Sequence, residues 1–261
     1  MITSSQNPKI KLIRSLQDRP KERRQAGAFL AEGVRLVEEA LDSDWPFDYI
    51  LYADELSERA RLLIQRLEAR GVNTEQVSGA LLQSLGETET SQGLLAVLKE
   101  SRLPLPRDLQ LVLIPDRVRD PGNLGTLLRS ASAAGVDAVF LPPETADAFA
   151  PKIVRAGMGA HFRLPIQSMS WEEIGQICTS GKLTVFLADM AGRSCWETDL
   201  RNPMALIIGG EANGASPQAE GLTSQKLSIP MPGGAESLNA AVAGSVLLFE
   251  VTRQRSLDTK H

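Results

Sequence analysis

Only two cysteines, Cys178 and Cys195, and two histidines, His161 and His261, occur in 261 residues. Neither pair has the spacing of a metal cluster and there is no Cys-x-x-Cys, so no metal site is expected. The cysteines need not pair, which agrees with a reducing compartment. No apolar run reaches the length that a membrane helix needs, and the start of the chain lacks a signal-peptide pattern, so a cytoplasmic location without membrane association is expected. Two phosphate-binding signatures are also missing. No Gly-x-Gly-x-x-Gly follows the first strand of the larger domain and no Gly-Lys-Ser/Thr loop occurs, which weighs against a nucleotide-binding oxidoreductase. Internal repeats and low-complexity tracts are absent as well. The 43% hydrophobic and 23% charged residues are ordinary for a globular chain of this length, with room for one large core or two modest ones.

The net charge of -4 hides an uneven distribution. Between Pro8 and Gln25 stand Lys9, Lys11, Arg14, Arg19, Lys21, Arg23 and Arg24, against only Asp18 and Glu22. Apolar Ile10, Leu12, Ile13 and Leu16 are interleaved with them, as in an amphipathic helix whose charged face lies either in solvent or on phosphates. The segment Arg102-Leu103-Pro104-Leu105-Pro106 breaks regular structure. It divides the chain into an N-terminal domain (1–100), a linker (101–107) and a larger domain (108–261). In the first, helical patterns at 34–41 and 56–70 alternate with apolar runs at 49–52 and 94–98, which suggests a small α/β domain, with Gly33 just before a helix. In the second, strands at 109–114, 138–141, 183–188, 205–208 and 227–230 alternate with helices at 127–134 and 150–158. This alternation predicts an α/β fold, a parallel sheet with helices on both faces. A last helix, 238–255, carries Leu238, Val242, Val246 and Phe249 on one stripe, which is expected to bury it against the sheet.

Three segments fall at the carboxyl ends of predicted strands, where ligands bind in such sheets. The first is Asp120-Pro121-Gly122-Asn123-Leu124-Gly125-Thr126-Leu127-Leu128-Arg129. Pro121 and Gly122 turn the chain, Asn123 is expected in the turn or as a helix cap, and Arg129 projects from the helix. The bland reading of this segment is a strand-loop-helix connection with a capping amide and a solvated arginine. The second is an apolar strand ending in Gly209-Gly210-Glu211, and the third runs from Ile229 through Pro230-Met231-Pro232-Gly233-Gly234 to Ser237-Leu238-Asn239, with Ser237 or Asn239 opening the final helix. Glycines at 209, 210, 233 and 234 suit close approach of backbone to a ligand.

In the order Asn123, Gly125, Arg129, then Gly209, Glu211, Gly214, then Ser237-Leu238-Asn239, the chain resembles the SpoU (TrmH) family of RNA ribose 2'-O-methyltransferases, part of the SPOUT superfamily. The likeness covers residues 109–255. It departs from the family where Ala240 and Ala241 replace a frequent Val-Ser. The resemblance implies a trefoil-knotted catalytic domain, preceded by a small α/β domain that binds the RNA substrate, and a homodimer whose sites borrow residues from the partner. It implies S-adenosylmethionine as cofactor, with Gly209, Gly210, Ile229, Met231 and Leu238 lining its site. Arg129 is expected to hold a phosphate and polarise the 2'-hydroxyl, since a guanidinium does not readily give up a proton. Glu211 would orient Arg129 or Asn123 or pin a loop amide, and Ser237 and Asn239 would position the cofactor carboxylate and the loop, unless either is only a cap. The substrate implied is structured RNA, ribosomal RNA foremost, with transfer RNA as the alternative. The rival from another class is a non-catalytic RNA-binding or ribosome-assembly factor on the same fold, against which Asn123, Arg129, Glu211 and Asn239 argue.

Overall fold

The structure, a computed structural model, describes residues 1–86, 92–211 and 214–258. Ala212 and Asn213, the variable positions of the second motif, and His261 lie outside the described residues. The chain packs as two compact units, Met1–Ser101 with Asp147–Phe162, and Arg102–Ala146 with Arg163–His261.

In the first unit Asn7 caps helix α1 (Pro8–Asp18), its side chain accepting the Lys9 amide. The residue before a proline avoids helical backbone. Arg19 is accordingly extended, and Pro20 starts a second helix, α2 (Pro20–Ala26). The basic segment is therefore two helices, where one was expected. Ile10, Ile13 and Leu16 are fully buried and Leu12 packs against them. Strands β1 (Ala28–Glu32), β2 (Phe47–Ala53), β3 (Thr74–Val77) and β4 (Leu94–Lys99) alternate with helices α3 (Val34–Asp42), α4 (Glu58–Ala69) and α5 (Gly79–Gln83). Their sheet has the order β1-β4-β2-β3, with β4 antiparallel to both neighbours. Arg23 does not belong to a charged surface. It is 3% exposed, bonded to Asp147 at 2.7 Å and donating to the carbonyls of Leu16 and Gln17. Lys9 pairs with Glu75 and sits 4.7 Å over the Tyr49 ring. Lys11, Arg14, Arg19, Lys21 and Arg24 remain exposed.

The second unit holds β5 (Leu111–Asp116), α6 (Pro121–Ala134) and β6 (Ala138–Leu141). The next helix, α7 (Pro151–Gly157), and a single 3-10 turn (Ala160–Phe162) lie within the segment that packs with the first unit. Alternation alone assigned that segment to the larger domain. Aromatic packing redirects it: Phe149 and Phe162 stand 5.0 and 6.5 Å from the Phe29 ring, and Trp45 is 5.3 Å from Phe162. The chain continues with β7 (Ile166–Ser168), α8 (Trp171–Ser180), β8 (Thr184–Ser194), β9 (Met204–Gly209), α9 (Pro217–Leu222), β10 (Gln225–Ser228) and α10 (Ala240–Asp258). The sheet order is β10-β8-β9-β5-β6-β7, with every neighbouring pair parallel. Ala205 and Ile207 of β9 meet Ile174 and Cys178 of α8 and Ala219 of α9 on one face. On the other face Ile208 meets α10, so helices cover both faces as the alternation predicts.

The stripe on α10 runs opposite to expectation. Leu238, Val242, Val246 and Phe249 are 38 to 49% exposed, whereas Ala240, Ala241, Leu247, Leu248 and Val251 are buried. The helix has two apolar faces, and the small residues decide which one docks. A Cβ on Gly244 would come within 2.4 Å of Leu127 Cδ2 and 3.3 Å of Ile208 Cγ1, an approach that only glycine allows. Ser130 and Ser245 share a hydrogen bond of 2.7 Å across the same α6–α10 contact.

Candidate active site

Helix α6 begins earlier than its hydrophobic period suggests. Its cap is Asp120, whose Oδ1 accepts the Asn123 amide at 2.8 Å, so Asn123 is neither the cap nor in the turn and stands in the first helical turn. Its side chain is thereby available for other partners. Asn239, and not Ser237, caps α10: its Oδ1 accepts the amides of Ala241 and Val242 at 2.9 and 3.2 Å. That duty fixes the orientation of the Asn239 amide, because the oxygen is taken and Nδ2 must point away from the helix. Nδ2 donates to Asn123 Oδ1 at 2.9 Å and to Glu211 Oε1 at 3.3 Å. Asn123 in turn donates its own Nδ2 to Glu211 Oε1. One residue from each of the three motifs thus joins a hydrogen-bonded ring.

Next to this ring a cavity of about 750 Å³ opens at the carboxyl ends of β8, β9 and β10. Gly209, Gly210, Ile229, Met231 and Leu238 line it, as do Glu211, Ser237 and Asn239. Ala240, one of the two departures from the family pattern, is on the wall too, and Ala241 lies on the buried side of α10. The glycines serve the chain's own closure. A Cβ on Gly210 would stand 2.4 Å from the Arg117 carbonyl oxygen, and one on Gly209 2.9 Å from the Gly214–Ala215 backbone, while Gly233 and Gly234 have open space around them.

Acidic residues that the motifs do not contain complete the site. Asp116, fully buried at the end of β5 and in register with Gly209, accepts the Ser216 amide at 2.6 Å and so ties down the loop bearing Glu211. Asp189 and Glu220 stand on the cavity wall and share Lys226, whose ammonium is 2.8 and 3.1 Å from them. The Lys226 hydrogen bond, with help from the Ala191 amide, holds the Asp189 carboxyl below its ordinary range. A signal was present for both aspartates. Each closes a buried apolar run, Asp116 at the end of β5 and Asp189 within β8, where an acid has no packing reason to be.

Arg129 is not brought to this cavity. It is exposed on α6, six residues past Asn123 and so about 9 Å further along the axis. Among the described residues its side chain makes no hydrogen bond or ion pair.

The SpoU rRNA Methylase family model matches residues 110–249, and the model of an MRM3-like substrate binding domain matches residues 7–96. The Bacillus subtilis 23S rRNA (guanosine(2553)-2'-O)-methyltransferase RlmP is 36% identical over 253 residues, covering 96% of this chain and 98% of its own. Among solved structures, the SpoU methyltransferase AviRb from Streptomyces viridochromogenes in complex with the cofactor AdoMet has a TM-score of 0.86 at 33% identity, with 96% of this chain and 99% of that one covered. The AdoMet-bound rRNA methyltransferase from Sinorhizobium meliloti has a TM-score of 0.85 at 31% identity, with 97% of each chain covered. One side chain from each of the three motifs joins the ring beside the cavity, the family model spans more than half of the sequence, and these relatives match it nearly end to end: the chain belongs to the SpoU rRNA methylase family.

Proposed function

We propose that this protein transfers a methyl group from S-adenosylmethionine to the ribose 2'-hydroxyl of a nucleotide in ribosomal RNA. As a SpoU-family member it is an S-adenosylmethionine-dependent RNA 2'-O-methyltransferase. The observation that carries the reading is the Asn123–Glu211–Asn239 ring beside the cavity, which links all three motifs by side-chain hydrogen bonds.

The cavity suits the cofactor. Its size is that of a small-molecule site, and its wall carries Asp189, Glu211 and Glu220 against the single ammonium of Lys226 that Asp189 and Glu220 share, which leaves it net negative. An acidic wall favours a cationic guest. When bound, the cofactor supplies an electrophilic methyl on a sulfonium. Gly209, Gly210, Ile229, Met231 and Leu238 would hold it, and Ser237 would reach its polar end. Asn123, Glu211 and Asn239 fix the three loops relative to each other, so that alignment is set before reaction. Arg129 binds the RNA phosphate and polarises the hydroxyl; a guanidinium does not readily give up a proton, so it is not the base.

Two features support a homodimer. The exposed face of Leu238, Val242, Val246 and Phe249 is an apolar surface suited to a second copy. Arg129 lies off its own chain's cavity, as expected of a residue supplied to the partner's. The N-terminal unit is read as the RNA-binding domain, supported by exposed Lys11, Arg14, Arg19, Lys21 and Arg24 and by the match to a substrate binding domain. Ribosomal RNA is favoured over transfer RNA by the substrate named for the Bacillus subtilis relative. Among the described residues no helix is long and apolar enough to cross a membrane, and the enzyme is read as cytoplasmic, supported by the bacterial relative that acts on 23S rRNA.

The test is transfer of isotopic methyl from S-adenosylmethionine to ribosomal RNA from cells lacking the protein. A 2'-O-methyl removes the nucleophile that cleaves RNA in alkali, so label should survive in an alkali-resistant dinucleotide. Label on a base, or label only in transfer RNA, would contradict the reading.

A further inference from the structure

The β5–α6 loop carries two arginines that none of the motifs contains. Arg117 Nη2 lies 3.4 Å from Glu144 Oε1, and Arg119 Nη2 is bonded to Oε2 of the same carboxylate. One acid facing two guanidiniums leaves net positive charge. The pair is accessible, with the Arg119 side chain 65% exposed and that of Glu144 52%. The loop beneath is nonetheless pinned: the Arg117 amide donates to Thr145 Oγ1 at 3.2 Å, Thr145 Oγ1 donates to the Pro115 carbonyl at 2.8 Å, and the Ala146 amide donates to the Val118 carbonyl at 3.1 Å.

Position gives this cluster its meaning. The Arg117 carbonyl is packed directly on Gly210, next to Glu211, and Asp120, the residue after Arg119, caps the helix that presents Asn123. The two guanidiniums are therefore mounted on the loop that builds the methylation site. The cavity wall is net acidic, with Asp189, Glu211 and Glu220 against one shared Lys226. A polyanionic substrate approaching that wall needs compensating positive charge close by.

We propose that Arg117 and Arg119 form a binding site for a backbone phosphate of the substrate RNA, with Glu144 holding their donors in place until the phosphate displaces it. This rests on the RNA-methyltransferase reading above. Guanidinium donors suit a phosphodiester in the same forked geometry as a carboxylate, and each backbone phosphate of RNA brings one negative charge to them, as Glu144 does. Exposed ion pairs are weak, so exchanging Glu144 for a phosphate costs little. Such a contact raises affinity regardless of base and is salt-dependent.

The experiment is filter binding of a ribosomal RNA fragment over a series of salt concentrations, with calorimetry of S-adenosylmethionine to verify folding. Arg119→Ala should weaken RNA binding at least about fivefold and lower the slope of log K against log salt by roughly 0.7 to 0.9. Glu144→Gln should tighten binding about two- to fivefold, because it frees both guanidiniums. Arg119→Lys, which keeps the charge and loses the fork, should keep the slope. An ion pair needed only to shape the loop would make Arg119→Ala and Glu144→Gln fail together; that result, or unchanged affinity and slope in Arg119→Ala, overturns the proposal. If the unaltered protein binds no RNA, the underlying reading fails instead.

Discussion

Asn239 does two things with one amide. Its oxygen closes the open end of α10 and its nitrogen gathers Asn123 and Glu211. Replacing it separates the two roles by magnitude. Asn239→Ala should lower stability by about 1 kcal/mol, the usual cost of losing a cap, and should lower kcat by at least about tenfold by releasing Glu211. Asn239→Asp keeps the cap but places a carboxylate against Glu211, so it should restore stability without restoring turnover. Thermal unfolding beside single-turnover methylation measures both. At this scale the sequence was informative where a residue type is needed by chemistry. Asn123, Glu211 and Asn239 could be named from motif spacing, and they meet. It marked Asp116 and Asp189 only as single acids closing apolar runs, a signal too weak to assign them before the groups they hold are seen. It also misjudged the cap of α6, because Asp120 and Asn123 are equally good caps by residue type and only the backbone distinguishes them.

The elements were legible in proportion to their burial. The central strands β5, β6 and β9 are buried along nearly their whole length and appear as unbroken apolar runs. β3, Thr-Glu-Gln-Val, and β7, Ile-Gln-Ser, are short and polar edge strands with neither period nor run to mark them. Helix α10 shows a different limit. Periodicity found its apolar stripe correctly and assigned it to the wrong surroundings, since Ala240, Ala241 and Gly244 dock more closely than Val242, Val246 and Phe249 can. The exposed stripe yields the element's own test. Val246→Asp should convert the proposed dimer to a monomer at micromolar concentration and reduce methylation at least about tenfold, because a charge at the centre of the proposed apolar interface would cost ~2 kcal/mol or more. Light scattering with size-exclusion chromatography reads the first effect. A variant that remains dimeric, or a monomeric variant that remains active, would separate α10 from assembly.

At the scale of the whole molecule, the segment 147–162 shows why linear order misleads about domains. It lies between β6 and β7 in sequence, yet Phe149, His161 and Phe162 pack among the aromatic side chains of the first unit. His161 gives that packing a pH signature. It is 2% exposed, Nε2 donates to the Ala148 carbonyl at 2.7 Å, and burial pushes its pKa down to about 4, with the Ala148 bond and Asp147 opposing. The unfolded chain takes up a proton near pH 6.5, whereas the folded chain resists it until about pH 4. Between these values the unfolded state binds more protons, so stability should fall on acidification, by up to about 3 kcal/mol. His161→Gln, which keeps a donor for Ala148, should flatten that part of the pH profile in urea unfolding; an unchanged profile would assign the acid sensitivity elsewhere.

The most direct measurement is a nucleotide-resolution map of 2'-O-methylation in ribosomal RNA from cells lacking the protein, complemented with the unaltered chain or with Arg129→Ala. One ribose should lose its methyl in the deletion, regain it with the unaltered chain and stay unmethylated with Arg129→Ala, although the purified variant still binds S-adenosylmethionine. Identical ribosomal maps with and without the protein, or full methylation with Arg129→Ala, would contradict a site in which three loops seat the methyl donor and this guanidinium receives the ribose.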